Sequence, residues 1–263
     1  MRSSEWIALL YFAAMTVLAW VRPLPAARRL QITASGLTMC GAIVWLSRDG
    51  GTLVRDWAPA AYIGAGYYLS GRFFVRPSPA IEHWLMSWDR HLLGDPTTRF
   101  ARWPAPLLAY LELVYMGCVL LVPAGFALLA ATGHAALADR YWTMVLSAEF
   151  GAFVPLAVVQ TRPPWAVERT AALPDQVVHR FTARIVRALT INANTFPSGH
   201  VAGSLAVAFA LLGPMPWTGG VCLLLAMSIS VACVVGRYHY VVDGVTGAAL
   251  AVAIWGIVTA AGL

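Results

Sequence analysis

The sequence contains no lysine. All of its positive charge is arginine, 18 residues against 12 acids for a net charge of +6, and only 11% of the chain is charged at all. A basic excess suits nucleic acid when it is clustered, but these arginines fall between long apolar runs. The expected partners are therefore the membrane itself and anionic lipid, not nucleic acid. Cysteine is scarce and scattered: Cys40, Cys118, Cys222 and Cys233 lie far apart in apolar stretches, where a thiol behaves as a small buried hydrophobe. Neither a disulfide nor a metal site is read from them. No Ser/Gly/Pro-rich linker, charge block, internal repeat or low-complexity tract divides residues 1–263, so a single domain is expected.

What the chain has in excess is apolar surface. Hydrophobic residues make up 59% of it and the mean hydropathy is +0.68, beyond the range of soluble domains. The expected fold is all-α, a polytopic bundle of about eight spans near residues 6–21, 30–46, 57–74, 105–131, 141–159, 201–212, 220–235 and 241–261. The flank VRPLPAARRL after the first span reads as a stop-transfer boundary, so that span is expected to remain uncleaved. The sixth is short for a crossing unless its start is buried inside the bundle, as the helix of an active site would be. Eight alternating spans with the N-terminus outside put every arginine except Arg2, Arg48, Arg55 and Arg140 on one side, which the positive-inside rule makes cytoplasmic. The expected location is a plasma membrane, or the inner membrane of a prokaryote.

Two segments between spans read as interfacial helices. In SPAIEHWLMSWDRHLLGDP, Ser78 can cap with Pro79 in the first turn, Ile81, Trp84, Leu85, Trp88 and Leu92 share a face, and Gly94 ends the helix. In PDQVVHRFTARIVRAL, Val177, Val178, Phe181 and Ile185 form an apolar side against Arg180, Arg184 and Arg187. The first would lie flat among headgroups; the arginine stripe of the second either faces solvent or lipid headgroups or guides the substrate.

Three polar islands interrupt the apolar pattern: QTRPPWAVE after the fifth span, FPSGH at the start of the sixth, and GRYHYVVDG between the seventh and eighth. Alternating spans bring all three to one membrane face. Pro197 suits a first helical turn, the Ser198 and Gly199 amides are then unpaired donors at a helix N-terminus where an anion binds, and His200 projects from the same turn. His239 and Asp243, four apart, share a face if helical. The carboxylate can then hold one ring nitrogen and leave the other free as a nucleophile. Arg162 and Arg237 are the candidate anion partners, because guanidinium forks match phosphate oxygens.

PSGH at Pro197–His200, the Arg162-Pro163 pair and the His239 to Asp243 spacing resemble the type 2 phosphatidic acid phosphatase superfamily. The resemblance runs from about Ala105 to residue 263, the main part of the catalytic core, with the earlier spans as additions to a six-helix unit. It implies that His239 attacks phosphorus, that Asp243 orients it, that His200 protonates the leaving oxygen, and that basic residues such as Arg162 hold the phosphate; Ser198, Gly199 and Arg237 join them as expected phosphate partners from their own positions. No cofactor and no metal are implied. Two positions depart from the pattern: Pro155 stands where the first motif carries Lys, and Ala232-Cys233 where the third carries Ser-Arg. Arg237, four residues after Cys233, lies about one helical turn further on. WDRHLLGDP with the downstream LELVY is similar to the branch of inositol phosphorylceramide synthases, which pass the phosphoryl group to a lipid hydroxyl.

The expected activity is thus a lipid phosphate phosphatase or phosphotransferase acting through a phosphohistidine on a phospholipid, polyprenyl or sphingolipid-type substrate. Its partners are a lipid phosphate and, for transfer, a lipid hydroxyl acceptor. Glu112 and Glu149 fall inside spans, where an ionisable group is a functional candidate. They could line an acceptor or headgroup pocket, make structural hydrogen bonds or form a proton path. Glu149 lies 13 residues before Arg162, about 20 Å along a continuous helix, too deep to touch the phosphate. The rival is a proton-coupled lipid transporter or flippase built on these glutamates. A catalytically dead scaffold is the third reading, against which the complete set of His200, His239 and Asp243 stands.

Overall fold

A computed structural model describes residues 1–168 and 177–262, without the side chains of 177–179. Arg169, Val177 and Val178, which enter the arginine distribution and the apolar side of the second interfacial helix, therefore lie outside the described positions or side chains. The chain forms α1 (Ser3–Val21), α2 (Ala26–Asp49), α3 (Thr52–Gly71), α4 (Pro79–Leu93), α5 (Pro96–Ala101), α6 (Ala105–Ala131), α7 (Ala138–Phe153), α8 (Pro164–Val167), α9 (Val177–Leu189), α10 (Gly199–Leu212), α11 (Pro216–Val235) and α12 (Val241–Ala260). Among the described residues there is no strand, only one isolated bridge between Thr161 and Asn194. The fold is all-α.

Five helices, α1, α2, α6, α11 and α12, are long and apolar enough to cross a membrane, which fits an integral membrane protein. The other three expected spans do not meet that measure for different reasons. α3 carries Arg55 and Asp56 near its start, α7 has 16 residues and α10 has 14. α10 is the centre of the bundle. It packs against α11, α7, α12 and α6, and all of its residues except His200, Phe209 and Leu212 are buried. Burial on every side makes it the interior helix, and Ala202, Gly203, Ser204, Ala206, Ala208 and Ala210 give it the small surface that lets four neighbours approach. Around it, Phe126, Tyr141, Trp142, Val207 and Leu211 form one core cluster. α1 and α3 pack on the far side of α7, with Tyr11 stacked on Phe150 at a ring separation of 4.0 Å.

α4 lies beside the start of α12, with Leu85 and Met86 packed on Tyr240. Its exposed and buried faces divide differently from the expected pattern. Trp84, Trp88 and Leu92 point outward, whereas the inward face carries Glu82 and Asp89 beside Leu85 and Met86. Apolar rings outside and carboxylates inside suit a helix at a membrane surface that also holds something basic beneath it. Ser78 is the N-cap residue but makes no side-chain cap bond; its amide donates to the Gln160 carbonyl at 2.8 Å.

Candidate active site

The three polar islands meet at one end of the bundle, and backbone hydrogen bonds join them. Asn194 N donates to Thr161 O (2.8 Å), Ser198 N to Asp243 O (2.9 Å) and Trp165 N to Arg237 O (3.1 Å). The Tyr240 hydroxyl donates to the Arg162 carbonyl at 3.1 Å. These bonds satisfy loop groups that could not remain unpaired in an apolar bundle, and they set the side chains above them.

His239 precedes α12 instead of lying on it. The helix begins at Val241 with Tyr240 as N-cap, and Asp243, in its first turn, accepts the Tyr240 amide at 2.9 Å. Asp243 therefore faces back toward the loop, and His239 Nδ1 reaches its Oδ2 at 3.3 Å. The expected pairing is present, but a helix cap produces it, not a shared helical face. The same Oδ2 accepts the Asn194 side-chain amide at 2.9 Å. Asn194 is 1% exposed and is pinned by Thr161 through its backbone and by Thr161 Oγ1 through its amide, 3.3 Å away. Nothing in the pattern reading singled out Asn194, although it opens the NTFPSGH stretch.

His200 projects from the first turn of α10. Its ring faces His239 with centroids 5.4 Å apart, and its other side is covered by Tyr115, stacked at 5.2 Å. Tyr115 is stacked in turn on Tyr238 at 3.8 Å, whose hydroxyl donates to Glu112 Oε2 at 2.8 Å. Burial, then the charge of Glu112, pushes the Tyr238 phenol well up, so it stays a neutral donor. Between the histidines lies a cavity of about 40 Å³, lined by His200, His239, Asn194, Thr195, Thr190, Tyr67, Tyr115, Tyr238, Trp165, Val186, Pro163 and Ala193. At ~10–15 Å³ per water position, it takes a small polar group and not a lipid body.

The groups expected to hold phosphate stand outside that lining. α10 starts at Gly199, so Pro197 precedes the helix and Ser198 is its cap, accepting Val201 N at 3.4 Å. The Ser198 amide is taken by Asp243, and the Gly199 amide reaches Thr195 Oγ1 at 3.4 Å. Arg162 forks onto Glu82, with Nε to Oε1 at 3.0 Å and Nη2 to Oε2 at 2.8 Å, and its amide adds a third bond at 2.9 Å. Burial pushes the Glu82 carboxyl up, but its hydrogen bonds with Arg162 and the nearby positive charge outweigh this and hold it below the usual 4.5. The hydrogen bond to Glu82 in turn raises Arg162. Arg237 sits in the left-handed region at φ 59°, beyond the end of α11, and donates to Asp89 Oδ2 (2.8 Å) and Glu168 Oε2 (2.7 Å).

Neither Glu112 nor Glu149 lines the cavity. Glu112 touches it through Tyr238, and Glu149 lies under the first turn of α10. A Cβ on Gly199 would come 3.2 Å from Glu149 Oε2, and one on Gly203 only 1.9 Å from Oε1. The expected 20 Å depth assumed one continuous helix, whereas α7 stops at Phe153 and the chain turns through a 3-10 segment, Val154–Ala157.

Glu82, Asp89, Glu168 and Tyr115 lie inside the stretches quoted above, but the motif reading gives them no role of their own. The seven-residue spacing of Glu82 and Asp89 along one helix face is the signal that could have found two of them. Comparison with curated proteins and with solved structures gives no match. A family model described as the PAP2 superfamily matches residues 83–257, from α4 to near the end of α12, and the chain belongs to that superfamily.

Proposed function

We propose that the chain is a membrane-embedded lipid phosphate phosphatase or phosphotransferase that works through a phosphohistidine on His239. One observation carries this reading: His239, held at Nδ1 by Asp243, faces His200 across a small cavity. With Nδ1 bearing its proton toward the carboxylate, Nε2 has a free lone pair. It attacks phosphorus and forms a P–N bond while the P–O bond to the lipid breaks. His200 gives its proton to the departing alkoxide. In the second step an acceptor O–H returns a proton to His200, its oxygen bonds to phosphorus, and the P–N electron pair goes back to His239.

In this reading no metal takes part. Arg162 keeps 41% of its side chain exposed and is next in the chain to Pro163 of the lining. It gives up part of its Glu82 fork to a phosphate oxygen, while the Ser198-Gly199 turn shapes the floor. The acceptor is water or a lipid hydroxyl such as that of a ceramide or diacylglycerol. Glu112 supports the cavity wall through Tyr238 and Glu149 packs under the turn that carries His200, and this tie to the histidine site favours the enzyme over a proton-coupled lipid transporter or flippase.

The experiment is phosphate release from a panel of lipid phosphates by wild type and His239→Ala, with and without ceramide, diacylglycerol or inositol lipids. Free phosphate that is lost in the variant supports a phosphatase, and turnover that needs an acceptor supports a transferase. Equal activity in the two proteins, or none under any condition, sinks the proposal.

A further inference from the structure

Asp89, on the buried face of α4, bonds to both ends of the turn that carries His239. Its Oδ2 accepts Arg237 Nη1 at 2.8 Å and its Oδ1 accepts the amide of Val241, the first residue of α12, at 2.9 Å. His239 lies midway between the two. Arg237 extends the connection, with Nη2 to Glu168 Oε2 at 2.7 Å and its carbonyl accepting Trp165 N at 3.1 Å, and Trp165 lines the cavity. The turn is closed from below as well, because both Tyr238 N and His239 N donate to Cys233 O at 2.9 Å.

The pair is buried on both sides, with side-chain exposures of 3% for Arg237 and 1% for Asp89. A charge pair this deep is costly to assemble and strongly damaging to break, so it is a poor candidate for release on every turnover. Releasing the Arg237 guanidinium to a phosphate would leave the buried Asp89 and the partly exposed Glu168 without their cation, and its Nε, which has no hydrogen-bond partner among the described residues, is itself buried. Its left-handed backbone, φ 59°, is a conformation that a non-glycine residue keeps only where its surroundings hold it. Here those surroundings are Asp89, Glu168 and Trp165.

From this geometry we infer that Asp89, acting with Arg237, is a positioning residue for the nucleophile: the pair brackets residues 237–241 and sets the His239 imidazole against Asp243 and His200. Arg237 is in this role an orienting group and not a phosphate ligand. The inference rests on the phosphohistidine reading above.

The test uses the full chain in detergent micelles with dioctanoyl phosphatidic acid as probe, comparing wild type, Asp89→Asn, Arg237→Lys, the double variant Asp89→Asn/Arg237→Gln, and His239→Ala. Two readouts are taken: kcat and KM, with inhibition by inorganic phosphate, and the rate at which diethyl pyrocarbonate modifies His239, followed by mass spectrometry. Asp89→Asn keeps an acceptor for Val241 but loses the charge. It should lower kcat by about 10- to 100-fold, as a misplacement near 1 Å does, with KM and phosphate inhibition held within about twofold. His239, 4% exposed in the wild type, should be modified at least about threefold faster once its turn opens locally. The double variant leaves no unpaired charge within this pair, so it tests placement even if Asp89→Asn does not fold, and its kcat should stay low.

Normal kcat and normal labelling in the Asp89 variants would overturn the inference. So would an Arg237→Lys variant that raises KM and weakens phosphate inhibition at unchanged kcat, the behaviour of a phosphate ligand. Phosphate release that survives His239→Ala counts against the phosphohistidine reading instead, and the labelling arm, which needs no turnover, still reports where His239 sits.

Discussion

Asp243 Oδ2 stands 3.3 Å from His239 Nδ1 and is shared with two other donors, the Tyr240 amide and the Asn194 side chain, each at 2.9 Å. One oxygen thus caps a helix, anchors the loop before the PSGH turn and orients the imidazole. The other oxygen, Oδ1, is buried without a hydrogen-bond partner among the described residues. Three donors on one atom fix the carboxylate before any substrate arrives, and that is how a protein reduces reorganisation during a reaction.

Asp243→Asn should separate cap from orienter. With its oxygen at the Oδ2 position the amide can still accept Tyr240 N, the Asn194 side chain and Nδ1–H and keep α12 started, but the negative charge that stabilises a positive imidazole ring is gone. A fall in kcat of about 10²–10⁴-fold with helical content retained is expected, by analogy with other His-carboxylate pairs. Asn194→Ala removes one of three donors and should cost roughly tenfold. Steady-state kinetics with circular dichroism reads both, and an Asp243→Asn protein with wild-type turnover would show that the carboxylate charge beside His239 contributes nothing to the reaction.

Glu82→Gln tests the link between α4 and the Arg162 loop. The native Glu82 pKa lies below its usual 4.5. Its contribution is therefore fully present above that value and is lost as pH falls through the depressed native one. Removing one partner of a fully buried pair can cost 3–5 kcal/mol, but Arg162 is 41% exposed, and solvent screening brings the expected loss to about 1–2 kcal/mol. Thermal unfolding of both proteins should show a steady gap from neutral pH down to about 4.5, closing below it. A gap that widens on acidification would mean Glu82 is not stabilised as its anion.

Gly203→Ala should force Glu149 to move, since the new Cβ would lie 1.9 Å from Oε1. Overpacking of this kind costs about 1–3 kcal/mol. Combining it with Glu149→Ala should recover much of the loss, because the two changes share one space and are not additive. Thermal midpoints of the two single variants and the double decide this; simple additivity would mean the two groups do not touch.

The site was legible in the sequence where chemistry is local and illegible where it depends on how loops end helices. PSGH and the His239 to Asp243 interval could be read because few residue types perform those tasks. Arg237 could not be placed, because treating it as one turn further along a helix ignores that α11 stops at Val235 and that Arg237 itself turns left-handed at φ 59°. The amphipathic reading of α4 put Leu85 with Trp84 and Trp88, yet only Leu85 points inward. Near a membrane both faces of a helix can be apolar-lined, so the two buried acids, Glu82 and Asp89, were the better indicators of which side faces protein. Read from sequence, the short sixth span is a crossing with its start buried in the bundle, whereas α10, at 14 residues, falls short of a spanning helix and is buried along nearly its whole length.

The Tyr238-Tyr115-His200 stack provides the last test, because it separates ring contact from hydroxyl contact. Tyr115→Phe keeps the ring that covers His200 at 5.2 Å and should leave both stability and turnover close to wild type. Tyr115→Leu removes it, opening space against Tyr238 and one face of the imidazole. A loss of about 2–4 kcal/mol and a roughly tenfold fall in kcat are expected, since in the proposed mechanism His200 must keep one orientation to pass its proton in both directions. Tyr238→Phe keeps the 3.8 Å stack but loses the donor to Glu112, at about 1–2 kcal/mol, with turnover nearly unchanged. If Tyr115→Phe instead proves as damaging as Tyr115→Leu, the hydroxyl and not the ring face supports His200, and the aromatic wall has a different purpose from the one assigned to it.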